Sequence, residues 1–258
     1  MMKMKIIGLA AASIMIAGPV SAKEWKQVRV AVEGAYPPYS WTTTEGELKG
    51  FDIDMANALC EQMQVKCTLV TQEWDGMIPS LLSRKFDAIV ASMSITEERK
   101  LKVDFTDKYY QISSRFVAKQ GTELSFDKTG LKGKSVGVQG SSTHEKYVED
   151  NFEGVDIKRY GSPENAFLDL ISGRVDLVFN NIPAIESGLL EKEKGGDFAF
   201  TGPLITDKQW FGEGVGIAVR KQDDALREKL NDAIKAIRSN GVYQQIQDKY
   251  FDFDIYGG

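Results

Sequence analysis

The sequence predicts an α/β protein of two similar lobes, each a sheet covered by helices. Three observations carry this. Short apolar runs alternate with amphipathic segments along most of the chain. A β-α-β-α-β order appears and is then repeated, and such an order places parallel strands under helices. A late apolar run, "VGIAVRK" (215–221), is placed to return to the first lobe.

The elements follow in order. "VRVAVEG" (28–34) reads as a strand. "GFDIDMANALCEQMQV" (50–65) reads as a helix, with Ile53, Ala56, Leu59 and Met63 on one face. "CTLVTQ" (67–72) is a strand, "MIPSLLSRK" (77–85) a short helix and "FDAIVAS" (86–92) a strand. The second pass begins at "SVGVQGS" (135–141) and continues through a helix, "THEKYVEDNF", and a strand, "VDIKRY". It closes with a helix, "SPENAFLDLISGR", and a strand, "VDLVFNN". Ser162 caps that helix and Pro163 stands in its first turn. "SLLSRKFDAIVASMS" and "LDLISGRVDLVFNNIP" match in pattern: an apolar helix end, a basic residue, x-Asp, an apolar strand and polar residues at the strand's end. Leu226, Leu230, Ile234 and Ile237 then have helical spacing. The expected division is 23–111 with 213–258 for one lobe and 112–212 for the other, including the hinge crossings. No long flexible linker separates them.

The first 22 residues are set apart. Lys3 and Lys5 precede an apolar stretch, Ile6 to Ala17, and Val20-Ser21-Ala22 forms a small-x-small site. This is the pattern of a secretory signal peptide cleaved after Ala22, and the apolar part is too short to span a bilayer. Its removal takes the formal charge from −5 to about −7. An acidic chain without a basic run argues against nucleic acid and anionic membrane partners. The expectation is an exported protein with no metal and no cofactor. Cys60 and Cys67 form either a disulfide, which export permits, or two buried thiols; two thiols with one distant histidine do not make a metal site.

In open α/β sheets, ligands bind beyond the carboxyl ends of the strands. Glu33, Ser92, Met93, Ser94, Gln139 and Asn181 stand at such ends. Thr96 is a candidate N-cap, with Glu97 and Glu98 in the first turn and Arg99 projecting from the helix start. A guanidinium suits a planar carboxylate, although a surface arginine paired with glutamate has the same local sequence. Gly140, Ser141 and Ser142 lead into a helix beginning near Thr143, where backbone N–H groups suit an anion or simply receive a cap. His144 reads as a helix-start residue at the cleft edge, since a local serine and histidine lack the setting of a catalytic triad. Glu33, Tyr36 and Trp74 suit a cation with an apolar stem; packing in the core or a loop is the ordinary alternative for each ring.

Taken together, "EGAYPPYSW", "GFDIDMANALCEQMQVKC", "EWDGMIPSL", "FDAIVASMSITEERK", "VDFTDKYY", "SGRVDLVF" and "DKYFDFDIYG" resemble the polar amino-acid family of periplasmic substrate-binding proteins of ABC transporters. The resemblance covers essentially the whole chain after residue 22 and is strongest to binders of lysine, arginine, ornithine and histidine. It implies a type II periplasmic binding protein fold, with two lobes of mixed sheet flanked by helices that close on a ligand. It implies that Arg99 and Thr143 grip an α-carboxylate, and that Ser92 and Ser94 contact the α-carboxylate and α-amino groups. Trp74 and Tyr36 would flank the ligand side chain, and Glu33 would stand near its distal cation. It also implies a Cys60–Cys67 disulfide. One departure stands out: Asn181 occupies the place of an aspartate that pairs with the ligand α-ammonium, as in opine-binding members.

The expected function is a non-enzymatic, monomeric periplasmic protein that passes a basic amino acid to an inner-membrane ABC permease. The alternatives are an opine binder for octopine or nopaline, and a cyclohexadienyl dehydratase-like enzyme with Glu33 as general acid. The sensing module of a membrane receptor is disfavoured, since no transmembrane segment is read before Gly258.

Overall fold

The computed structural model describes residues 24–111, 113–192 and 195–257. The expected signal peptide, 1–22, lies outside the described residues. The first half supplies β1 (Gln27–Val32), β2 (Ala35–Tyr36), β3 (Ser40–Thr42), β4 (Leu48–Lys49), β5 (Lys66–Thr71), β6 (Ala88–Ile89) and β7 (Asp104–Phe105). The remainder supplies β8 (Ser114–Lys119), β9 (Ser135–Gln139), β10 (Asp156–Tyr160), β11 (Leu177–Asn181), β12 (Phe198–Ile205) and β13 (Ala218–Val219).

Two five-stranded sheets result, in the orders β5-β1-β6-β13-β7 and β10-β9-β11-β8-β12, with a small sheet β2-β3-β4 beside the first. The repeated units form the parallel part of each: β1 pairs with β5 and β6, and β9 with β10 and β11. The predicted return of "VGIAVRK" is seen in β13, which runs antiparallel between β6 and β7. In the second sheet, β8 is antiparallel to both β11 and β12. Both sheets are therefore mixed, and in each case the antiparallel strand belongs to a segment outside the repeated unit.

The sequence match between the halves has a physical cause. Asp87 accepts the Arg29 backbone N–H at 3.1 Å, and Asp176 accepts that of Ser135 at 2.8 Å. Each aspartate precedes an inner strand and fastens the start of the strand beside it. Just upstream, Arg84 (φ 62°) and Gly173 (φ 73°) adopt the left-handed conformation that ends the preceding helix. Buried Arg220 adds a cross-tie, bonding Asp87 at 3.0 Å and the carbonyl of Phe86 at 2.6 Å.

Helices cover both faces of each sheet. Phe51–Met63 and Asp224–Ser239 pack on one face of the first sheet, and Met77–Leu82 on the other. Leu226, Leu230, Ile234 and Ile237 are all buried, as their spacing predicts; each contributes about 1.5–3 kcal/mol of burial. The Phe51–Met63 helix starts at Gly50 (φ 130°), where a Cβ would lie 2.3 Å from the Tyr39 carbonyl oxygen. No other residue fits there. The Cys60–Cys67 disulfide joins this helix to β5, with the Cα atoms 6.0 Å apart. Thr143–Asn151 and Pro163–Ile171 cover opposite faces of the second sheet.

Candidate functional site

The carboxyl ends of the parallel strands in the two sheets face each other. Glu33 follows β1 and Ser92-Met93-Ser94 follows β6, while Gln139 ends β9 and Asn181 ends β11. Among the described residues, three hydrogen bonds cross between the two halves at this cleft. Gln139 Nε2 donates to Glu33 Oε1 at 2.5 Å, Tyr36 Oη to Asn180 Oδ1 at 2.7 Å, and Trp74 Nε1 to the Ser141 carbonyl at 3.2 Å. They enclose a small cavity of about 20 Å³. Glu33, Tyr36, Trp74, Ser92, Ser94, Arg99, Gln139, Ser142, Thr143 and Asn181 line it, together with His144. Met93 is buried among apolar side chains and borders instead the wider groove outside, beside Trp74 and Arg99.

Charge is placed at two points of the lining. Arg99 follows the predicted cap: Thr96 Oγ1 accepts its backbone N–H at 3.3 Å. Its guanidinium donates to the Ser94 carbonyl at 3.0 Å and lies 5.2 Å from the centre of the Trp74 ring. Among the described residues it makes no ion pair, so the surface Arg–Glu pairing is not formed. Burial lowers its pKa to about 10, and nearby Glu98 only partly opposes that. A cation held this way favours an anion beside it.

Glu33 is the other charged point. It is 8% exposed, and among the described residues its Oε2 has no hydrogen-bond partner. Burial pushes its pKa up to about 7; the Gln139 bond opposes the shift, and the charges of Asp52 and Asp75 add to it. An unsatisfied buried carboxylate oxygen invites a cation or a donor.

The hydroxyls behave less uniformly than predicted. The Ser92 hydroxyl is engaged within the first lobe: it donates to Asp52 Oδ2 at 3.1 Å and accepts from Tyr110 at 2.5 Å. The Ser92 backbone, at φ 50°, also donates to Asp52. Ser142 serves as a helix cap, accepting the Glu145 N–H at 3.1 Å and donating to the Gln139 carbonyl at 2.6 Å. Neither hydroxyl projects freely.

Asp52, Asn180 and Ser114 escaped sequence reasoning, and His144 was read only as a helix-start residue at the cleft edge. Asp52 is fully buried in the first turn of its helix, and burial pushes its pKa up to about 7. Its signal was an acid next to the apolar face. Asn180 bonds across the cleft although strand alternation would turn it away from the face of Asn181. His144 is not at an edge: it is 6% exposed, edge-on to Phe179, and its Nε2 lies 3.0 Å from both Ser114 Oγ and Asn181 Oδ1. Burial, with Arg99 nearby, lowers its pKa to about 3, against the opposing Asn181 bond. Ser114, on β8, carried no local signal.

Comparison with known proteins gives the family. Residues 28–253 match the model for bacterial extracellular solute-binding proteins, family 3. The chain is 49% identical to an L-arginine-binding protein of Pseudomonas aeruginosa, over 100% of this chain and 99% of that one. It is 40% identical to the lysine/arginine/ornithine-binding periplasmic protein of Escherichia coli, over 89% of each. A periplasmic binding protein of Salmonella typhimurium, described as highly specific for arginine, superposes with a TM-score of 0.82 at 36% identity, covering 88% of this chain and 99% of that one. The fold is that of the type II periplasmic binding proteins, and this chain belongs to the bacterial extracellular solute-binding proteins, family 3.

Proposed function

We propose that this chain is the periplasmic solute-binding component of an ABC importer, that it captures a basic amino acid or a derivative of one, and that it delivers the ligand to an inner-membrane permease. The observation that carries the reading is the pairing within one small cavity of an arginine without an ion pair and a buried carboxylate with a free oxygen. Arg99 takes the ligand's carboxylate by paired hydrogen bonds. Glu33 takes the distal cation, and Trp74 and Tyr36 flank the aliphatic stem. The ligand displaces Gln139 from Glu33 and is held by both lobes, and differential contact of this kind shifts the population toward closure. The relatives' names support the basic ligand.

The lobes in this reading are 23–111 with 213–258, and 112–212. The protein acts as an exported monomer with residues 1–22 removed, without nucleic acid, cofactor or catalysis. Opposite charges at separate points of the cavity suit holding a zwitterionic ligand more than proton transfer by Glu33. A second reading, an opine such as octopine or nopaline, is favoured by one observation: Asn181 is neutral, so it does not repel a carboxylate carried on the ligand's α-nitrogen.

Calorimetric titration of stripped protein with arginine, ornithine, lysine, histidine, octopine and nopaline tests this. Tight binding of at least one is expected. Binding of none overturns the basic-ligand assignment.

A further inference from the structure

Among the described residues, five buried tyrosines share the first lobe's apolar cluster: Tyr36, Tyr39, Tyr109, Tyr110 and Tyr243. A buried phenol ordinarily keeps its hydroxyl bonded, and four of these do. Tyr36 Oη donates to Asn180 Oδ1, Tyr109 Oη to Asp52 Oδ1 and Tyr243 Oη to the Tyr109 carbonyl, each at 2.7 Å, and Tyr110 Oη donates to Ser92 Oγ. Tyr39 is the exception. It is wholly buried, and among the described residues its Oη has no partner. Its ring is stacked on Tyr110 at 5.3 Å and packs on Tyr36 at 5.3 Å and Phe251 at 5.8 Å. It does not line the ligand cavity.

Part of what covers Tyr39 comes from the other lobe. Ala184 is 1% exposed, and among the described residues it is the one buried member of this cluster from 112–212. It belongs to the short helix Ile182–Ile185 that follows β11. One residue further on, the Glu186 charge reaches the Tyr39 hydroxyl, and the charge of Asp252, from the first lobe, reaches Glu186. The segment 182–186 therefore seats on the first lobe beside Tyr39, just past the bond from Tyr36 to Asn180. Lobes that separate carry this segment away with β11, and water then reaches the hydroxyl. On closure the hydroxyl loses that water and gains no protein partner, which costs free energy.

We propose that Tyr39 is a brake on lobe closure, its hydroxyl hydrated while the lobes are apart and stranded when the Ile182–Glu186 segment seats over it. The brake opposes closure without ligand and weakens every ligand by the same factor. It rests on the reading above only in requiring lobes that open and close, and not on which ligand is bound.

Tyr39→Phe removes the hydroxyl and keeps the ring. Calorimetric titration of the protein after residue 22 with arginine, ornithine, lysine, histidine, octopine and nopaline reads the effect. Each compound that binds the wild type is expected to bind the variant at least fivefold tighter, by a common factor, because apparent affinity scales with the closed fraction. Unchanged or weaker affinity overturns the proposal. Unchanged affinity with a higher melting temperature overturns it too, since the hydroxyl is then stranded whether or not the lobes are closed. A second measurement uses no ligand. Ser83 is exposed on the first lobe's side of the outer groove, opposite Glu145 and Glu149, and the native cysteines are paired, so Ser83→Cys takes a single nitroxide label. Paramagnetic relaxation at the amides of 145–149 then reports the closed fraction. Tyr39→Phe is expected to raise it at least threefold, and no rise overturns the proposal. If none of the six compounds binds, the basic-ligand reading fails by itself, and the relaxation measurement still decides the brake.

Discussion

The two walls of the cleft differ in kind. The first lobe brings Glu33, Arg99 and the Trp74 ring, which are both of the charged groups in the lining and its largest aromatic surface. The second brings Gln139, Ser142, Thr143, His144 and Asn181, all neutral, with His144 kept uncharged by burial. The halves share a folding pattern but not a function at their strand ends. In the proposed reading the first wall recognises charge, and the second completes the enclosure around the ligand.

The largest effect that would break this comparison is at Arg99. Arg99→Ala should lower affinity at least a hundredfold, since removing one partner of a buried, hydrogen-bonded charge pair costs about 3–5 kcal/mol. Calorimetry checks the affinity, and an unchanged melting temperature within a few degrees checks the fold. Near-normal affinity would remove Arg99 from the site.

Glu33→Gln comes next. It should weaken cationic ligands about tenfold or more and leave their neutral analogues nearly unaffected, as loss of a charge-assisted bond predicts. Equal losses for both would contradict its role.

The same residue predicts pH dependence. Its pKa in the folded chain is about 7, above the ordinary carboxylate range. As pH falls from 8 to 6, Glu33 takes up a proton and affinity for a cation falls several-fold. Stability without ligand runs the other way. A raised folded pKa stabilises fully below the unfolded value, and this is lost as pH rises through 7. Asp52, also pushed to about 7, acts in the same direction. The contribution of these two groups therefore lowers the melting temperature between pH 5 and 8, and Glu33→Gln should flatten the slope. Melts and titrations at pH 6 and 8 measure both.

The smallest effect concerns enclosure. Trp74→Phe keeps a ring but removes the bond to the Ser141 carbonyl, worth about 1 kcal/mol. Affinity should fall about fivefold, mostly through faster dissociation in stopped-flow measurements. An unchanged dissociation rate would mean that this bond does not help to hold the lobes together.

Much of this was legible in the sequence, for identifiable reasons. The repeated strand and helix pattern fixed which strand ends meet, so ten of the predicted residues converge on one cavity. What was not legible depends on contacts distant in sequence. Ser92 bonds Asp52, 40 residues away, and Tyr36 bonds Asn180, 144 residues away. His144 lay in view, but its hydrogen bonding depends on Ser114 from an antiparallel strand that no local pattern ties to it. Met93 was grouped with its serine neighbours, whereas alternation along the chain turns it into the apolar cluster.

The most direct measurement is calorimetric titration with matched pairs differing only in the distal charge: arginine against citrulline, and their N²-carboxyethyl derivatives. A first wall that recognises charge predicts that the cationic member of at least one pair binds tenfold or more tighter than its neutral partner. Equal affinity within both pairs would contradict the account.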